Sequence, residues 1–224
     1  MPRIVPFALF MACLAVESGI HWVSGLLATT ASDHLTFSLW LYPVRTAVVL
    51  GALGYLWPAY RELREQICAS WQEALLTLGV GVVVYLAWVR MDWPWAMQGH
   101  PAGYNPFQVG AGVGVVLAVI RLFGAAIVVP VMEELFWRSF LLRYLVTPAF
   151  TAVRLGTLTP WAFGVTVVLF GLEHHLWLAG LLAGVAYTLL LAITRRLWPC
   201  IVAHALTNLL LGIHVLVTGE WHWW

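Results

Sequence analysis

The chain has 224 residues, of which 62% are hydrophobic and 9% charged, and its formal net charge is +1. An ordinary soluble domain is about 45–50% apolar and about 25% charged, so a soluble fold of this length is excluded. All eleven basic residues are arginine and they are dispersed along the chain, which excludes a basic face suited to nucleic acid.

A transmembrane helix needs about 20 mostly apolar residues. Hydrophobic runs at 4–27, 37–58, 72–90, 108–129, 160–176, 178–194 and 198–217 approach that length. They predict an all-α, polytopic transmembrane bundle of seven to eight helices, in a single integral membrane domain over 1–224. The first run follows Arg3 and resembles a signal peptide, but it is too long and lacks a convincing cleavage site, so it reads as a retained span. Cys13, Cys68 and Cys200 are widely separated and odd in number, which suggests neither a disulfide framework nor a thiolate zinc site; they read as small packing residues. The segment 60–70 (YRELREQICAS) alternates Arg and Glu as a helix would and reads as a solvated or interfacial connector. Gly79, Gly81, Gly110, Gly112 and Gly114 read as sites of close helix packing, since no strand precedes them as a phosphate loop would require. Between the fourth and fifth runs, Val131 to Val146 follows Pro130 and carries Glu133, Glu134, Arg138 and Arg143. It is either an extension of the fourth span or an eighth membrane element. No internal repeat supports a transporter built from inverted halves.

Cytoplasmic loops are enriched in basic residues. Arg3, then Arg61 with Arg64, then Arg143 with Arg154, then Arg195 with Arg196 mark alternate connections, while 28–36, 91–107 and 176–179 carry none. This predicts a multi-pass protein of the inner (cytoplasmic) membrane with its N-terminus cytoplasmic and its C-terminus outside. Trp221, Trp223 and Trp224 suit the outer interfacial belt.

Ionisable groups inside a membrane are costly and point to function or to mutual pairing. Those placed there are Glu17, Arg45, Arg121, Glu133, Glu134, Arg138, Glu173, His174, His175 and His204. Glu134 and Arg138, four apart in EELFWR, share a helical face in the favourable acid-first order and read as a structural ion pair. Glu133 is turned about 100° away and has no partner on its own helix. Phe170 and His174 in FGLEH, and His204 and Asn208 in HALTN, are again four apart. Three helices thus offer polar groups to one cavity. A carboxylate beside an imidazole can take a proton from water, and an imidazole with a carboxamide can donate to a developing oxyanion. The chemistry this set suits is attack of activated water on an amide carbonyl; polar side chains that only glue helices together are the plainer alternative. Glu173 and His175 lie off the His174 face and read as supporting or interfacial groups. Glu17 with His21, and Arg45, read as structural.

The three motifs, in this order, resemble the EExxxR, FxxxH and HxxxN/D motifs of the CAAX protease and bacteriocin-processing family of intramembrane proteases. Over about 105–217, especially RLFGAAIVVPVMEELFWRSFLLRYL and FGLEHHLWLAGLLAG, the chain is similar to the members found beside exosortase and PEP-CTERM sorting systems. The resemblance implies that Glu133 and His174 activate the water, that His204 and Asn208 stabilise the oxyanion, and that Glu134 and Arg138 orient the site. It implies an endopeptidase without a cofactor, acting on a membrane-anchored protein or peptide in contact with lipid, with a sorting-tagged substrate favoured over a prenylated one. A zinc site using Glu133, His174 and His204 is the less favoured alternative, because two histidines four apart with a glutamate between them are absent and Asn208 is a poor zinc ligand. A non-proteolytic scaffold or immunity-type binder of the same fold is the other reading. Substrate identity and oligomeric state are not encoded in any motif. A reporter fused after Trp224 is expected to be active only outside the cytoplasm, and a cytoplasmic signal would sink the topology.

Overall fold

The computed structural model describes residues 1–26, 31–99 and 103–224; the side chains of 21 and 23–38 also lie outside the description. The described residues form helices and no strand. The helices are α1 (Val5–Leu26), α2 (Ala31–Leu56), α3 (Trp71–Trp88), α4 (Ala111–Tyr144), α5 (Pro160–Glu173), α6 (Trp177–Thr194) and α7 (Leu197–Thr218). Short 3-10 turns fill the connections. Among the described residues, five stretches are long and apolar enough to cross a membrane: Leu39–Ala59, Trp71–Trp88, Ala111–Tyr144, Trp177–Thr194 and Leu197–Thr218. Val5–Ile20 and Pro160–Glu173 are apolar but shorter. The second helix begins at Ala31, well before the apolar run, so part of the expected 28–36 loop is helical and 28–30 lie outside the described residues.

Local chemistry sets the helix starts. Ser70 Oγ accepts from the Glu73 amide at 3.2 Å while Glu73 Oε1 accepts from the Ala69 amide at 3.0 Å, a close variant of the capping box. Thr159 caps α5 in the same way, through the Ala162 amide at 3.2 Å, with Pro160 in the first turn where its missing N–H is harmless.

Helix α7 lies at the centre. Leu197, Cys200, Ile201 and Ala203 pack with Val84 of α3, Met132 and Leu135 of α4, and Tyr187, Leu190 and Leu191 of α6. The α3–α7 approach needs a bare backbone at Gly81, where a Cβ would lie 2.7 Å from the Ala203 carbonyl oxygen. Gly114 is also at a close contact, with Phe107, but Gly79 and Gly112 face open space and Gly110 serves instead as a turn with φ +95°. Cys13 and Cys200 are half-buried and buried, whereas Cys68 is exposed and is no packing residue.

The segment after Pro130 continues the fourth helix and is not a separate element. Ala111–Tyr144 runs 34 residues, about 51 Å at 1.5 Å per residue, against a hydrocarbon core of about 30 Å. Two π-helical stretches, Gly124–Val128 and Leu135–Leu141, interrupt it. The first precedes Pro130, and its wider turn accommodates a ring that would clash with the carbonyl four residues back in a regular helix.

The 60–70 connector is only partly solvated, and the Arg/Glu alternation does not make it an α-helix. Tyr60, Glu62 and Leu63 are buried, because Arg3 and Ser139 give Glu62 the donors it needs. Arg3 Nε and Nη2 reach the two Glu62 oxygens at 2.6 and 2.7 Å, and the Ser139 hydroxyl donates to the same carboxylate. Arg143 completes the cluster by donating to Ser139 Oγ at 2.8 Å. Arg196 bridges Glu73 at 2.7 Å at the same end of the bundle. The opposite end gathers aromatics: Trp95 against Trp177, Phe107 against Trp221, and Tyr104 against Trp224.

Burial alone would raise the Glu62 pKa, but hydrogen bonds from Arg3 and Ser139 outweigh it and hold the carboxyl below its ordinary value. A depressed folded pKa stabilises above the unfolded value, and that contribution is lost as pH falls through the folded value. Glu62→Gln is expected to lower Tm at neutral pH, with the gap to wild type closing below about pH 4. Thermal melts across pH in detergent check this, and a gap constant down to the lowest pH would refute it.

Candidate active site

Glu133 and Glu134 lie where the regular part of α4 gives way to its second π stretch. As neighbours on a helix they point about 100° apart. That divergence lets them bracket one imidazole: Glu134 Oε1 lies 3.0 Å from Nδ1 of His204, and Glu133 Oε2 lies 4.0 Å from Nε2. A carboxylate accepts, so Nδ1–H donates to Glu134. Arg138 Nη1 donates to the same Glu134 oxygen at 3.1 Å, and Arg138 and Glu134 are both fully buried. The Arg138 guanidinium also lies 4.1 Å from the Phe170 ring centroid. Oε2 of Glu133 has no hydrogen-bond partner among the described residues.

His204 is stacked on Tyr187, with ring centroids 5.1 Å apart and planes 20° apart. The Tyr187 hydroxyl donates to Thr207 at 2.8 Å, and Thr207 donates to the Gly81 carbonyl at 2.9 Å, so the bare backbone at the α3–α7 crossing also anchors the floor under His204.

His174 is not within the helix, as its four-residue spacing from Phe170 suggests, but caps the C-terminus of α5 with extended backbone. Its Nδ1 lies 2.7 Å from the Phe170 carbonyl oxygen, so Nδ1 carries the proton and Nε2 is left as an acceptor. The ring is held between Phe170 and Trp88, at 4.7 and 5.3 Å between centroids. Asn208 Nδ2 donates to the Ala125 carbonyl at 2.9 Å, which leaves its second amide hydrogen unused by that bond.

One cavity of about 260 Å³ is lined by Glu133, His174, His204 and Asn208 together. Glu134 and Arg138 stand behind His204 in the wall. Glu173 is tied to α4 by Trp137 Nε1 at 3.0 Å, and His175 engages the backbone of Gln98. Glu17 pairs with Arg45 at 2.9 Å; the side chain of His21, its expected partner, is outside the described residues. Sequence spacing gave no sign of Tyr187 or Thr207. Arg45, read as structural, and Arg121, given no role by its spacing, line the same cavity. Their cost in lipid was the available signal.

Among the described residues no group of three His, Cys, Asp or Glu side chains could hold a metal ion. The two acids flank opposite nitrogens of one ring, so an ion at His204 Nε2 could gain Glu133 but not Glu134.

An apolar helical bundle with buried carboxylates, imidazoles and a carboxamide around one cavity has the makings of an intramembrane hydrolase. Residues 115–210, a little under half of the chain, match the family described as type II CAAX prenyl endopeptidase Rce1-like. The match spans all three motifs, and it supports a protease of CAAX type. No curated protein and no solved structure matches the chain.

Removing Arg138 leaves Glu134 buried with only His204 to hold it. Arg138→Ala is expected to lose roughly 3–5 kcal/mol of stability, read as a lower Tm. Unchanged stability with lost activity would make Arg138 a direct participant instead.

Proposed function

We propose that the chain is an intramembrane endopeptidase that hydrolyses a peptide bond near the C-terminal anchor of a membrane protein. The observation that carries this reading is the single cavity shared by Glu133, His174, His204 and Asn208, which come from α4, the end of α5 and α7. Glu133 Oε2 takes a proton from water as the water oxygen attacks the carbonyl carbon. His174 Nε2 accepts the second hydrogen bond of that water. Glu133 Oε2 and His204 Nε2 are 4.0 Å apart. As negative charge develops on the carbonyl oxygen, His204 Nε2–H and the free Asn208 hydrogen donate to it. Collapse expels the amine, which takes the proton from Glu133. Glu134 and Arg138 orient His204.

Trp88, Trp223 and Trp224 line the cavity on the side of the aromatic end of the bundle, opposite Arg3, Arg143 and Arg196. With the basic end cytoplasmic, substrate enters from the outer face of the inner membrane. That side suits a translocated protein with a C-terminal sorting tag, as found beside exosortase systems, better than a cytoplasmic prenylated one. The mechanism needs no metal.

Co-expression with a tagged membrane protein, followed by immunoblotting of the tag, tests the reading. Glu133→Gln, nearly isosteric, is expected to fold and insert normally while cleavage falls on the order of 10²-fold or more. Wild-type turnover in that variant would remove Glu133 from the mechanism. Exhaustive chelation is expected to leave the rate unchanged. Stoichiometric zinc whose removal stops cleavage and whose return restores it would make the same residues ligands.

A further inference from the structure

The cavity that holds the acids also holds two arginines. Arg45 of α2 is only 7% exposed, and its guanidinium lies 5.1 Å from the centroid of the Tyr42 ring. The guanidinium of Arg121, from α4, lies 4.1 Å from the same centroid, 5.2 Å from Tyr104 and 6.0 Å from Trp224. Arg45 spends one nitrogen on Glu17. Among the described residues Arg121 has no carboxylate partner, and Nε of each arginine is buried without a hydrogen-bond partner. Arg121 is thus a cation facing the cavity with no carboxylate beside it among the described residues, within an apolar bundle where an unpaired charge is costly.

We infer that Arg45 and Arg121 form an anion subsite that takes a carboxylate of the substrate peptide. The reading of the cavity as a peptidase site is what makes the ligand a peptide; the need for an anion comes from the arginines themselves. Arg121, Ala125, Val129 and Glu133 recur every four residues along α4 and all line the cavity. Arg121 and Glu133 are therefore about 18 Å apart along the helix, at 1.5 Å per residue. An extended peptide covers that distance in about five residues. The wall between them carries the apolar Ala125, Val129, Phe10 and Leu211, with the Asn208 amide at the Ala125 carbonyl. The subsite therefore selects an apolar segment carrying a carboxylate about five residues from the bond cut. That carboxylate is either the chain-end α-carboxylate or an Asp or Glu side chain.

The test uses the Glu133→Gln protein, so that binding is read without turnover, in nanodiscs of phosphatidylcholine. Three fluorescent N-acylated apolar peptides serve as probes: a free acid, its C-terminal amide, and the amide with one internal Glu five residues from the acylated end. Fluorescence anisotropy should show at least one carboxylate peptide binding tenfold or more tighter than the plain amide. The tighter one identifies the source of the carboxylate. Arg121→Gln should erase the preference at unchanged Tm, and Arg121→Lys should keep part of it. Equal affinity for all three peptides, or binding of none, overturns the inference even if Arg121→Gln fails to fold. Retention of phosphatidylglycerol that depends on Arg121, without discrimination among the peptides, also overturns it and assigns the arginines to a lipid phosphate. Wild-type cleavage indifferent to the carboxylate would overturn the subsite and leave the peptidase standing, whereas carboxylate-selective binding without any cleavage would do the reverse.

Discussion

Glu134 is a carboxylate with no access to water, and it is tolerable there because two donors from different places in the chain converge on one of its oxygens. Arg138 arrives from the next turn of α4 and His204 from α7, seventy residues later. Unpaired, such a group would carry a desolvation penalty of several kcal/mol. The requirement fixes the rotation of α4 against α7 and the tilt of the His204 ring. Glu133 then has little freedom, because its neighbour on the helix is pinned. The distances around the corner of the cavity at Glu133 and His204 follow from a bond that does not touch the cavity.

The π stretches belong to the same argument. A helix of 34 regular residues would carry its face round at a constant 3.6 residues per turn. Wider turns before and after Val129–Glu134 reset that phase, so that Arg121, Ala125, Val129 and Glu133 all face one cavity while Ser139 and Arg143 face the Glu62 cluster. Stretches of this kind are frequent at functional sites.

Much of this was legible in the sequence, and the boundary of legibility is physical. Runs of apolar residues report crossing helices because the lipid requirement acts on every residue of the run. Glu133, His174, His204 and Asn208 could be named because polar groups are rare in such runs. Their pairing could not be. Spacing put His174 on a helical face, but α5 ends one residue earlier and the backbone turns out. Spacing also set Glu133 apart from its neighbour without showing that the two acids would grip opposite sides of a ring on another helix. The connector at 60–70 read as solvated because the sequence does not show that Arg3 and Ser139 will meet Glu62. Tyr187 and Thr207 carry no local signal, since their role depends on an α3–α7 crossing that no single segment encodes.

The tie between Arg3 and Ser139 has a consequence in time. The two residues are 136 apart in sequence, and Glu62 sits between them. At a synthesis rate of about 5–20 residues per second, Arg3 has existed for roughly ten seconds before its hydroxyl partner leaves the ribosome. Through that interval the first helix can be held only by Glu62 and by its pairing with α2. The start of the chain is therefore not fully tied until the long fourth helix is in place, and its docking reports that helix's arrival.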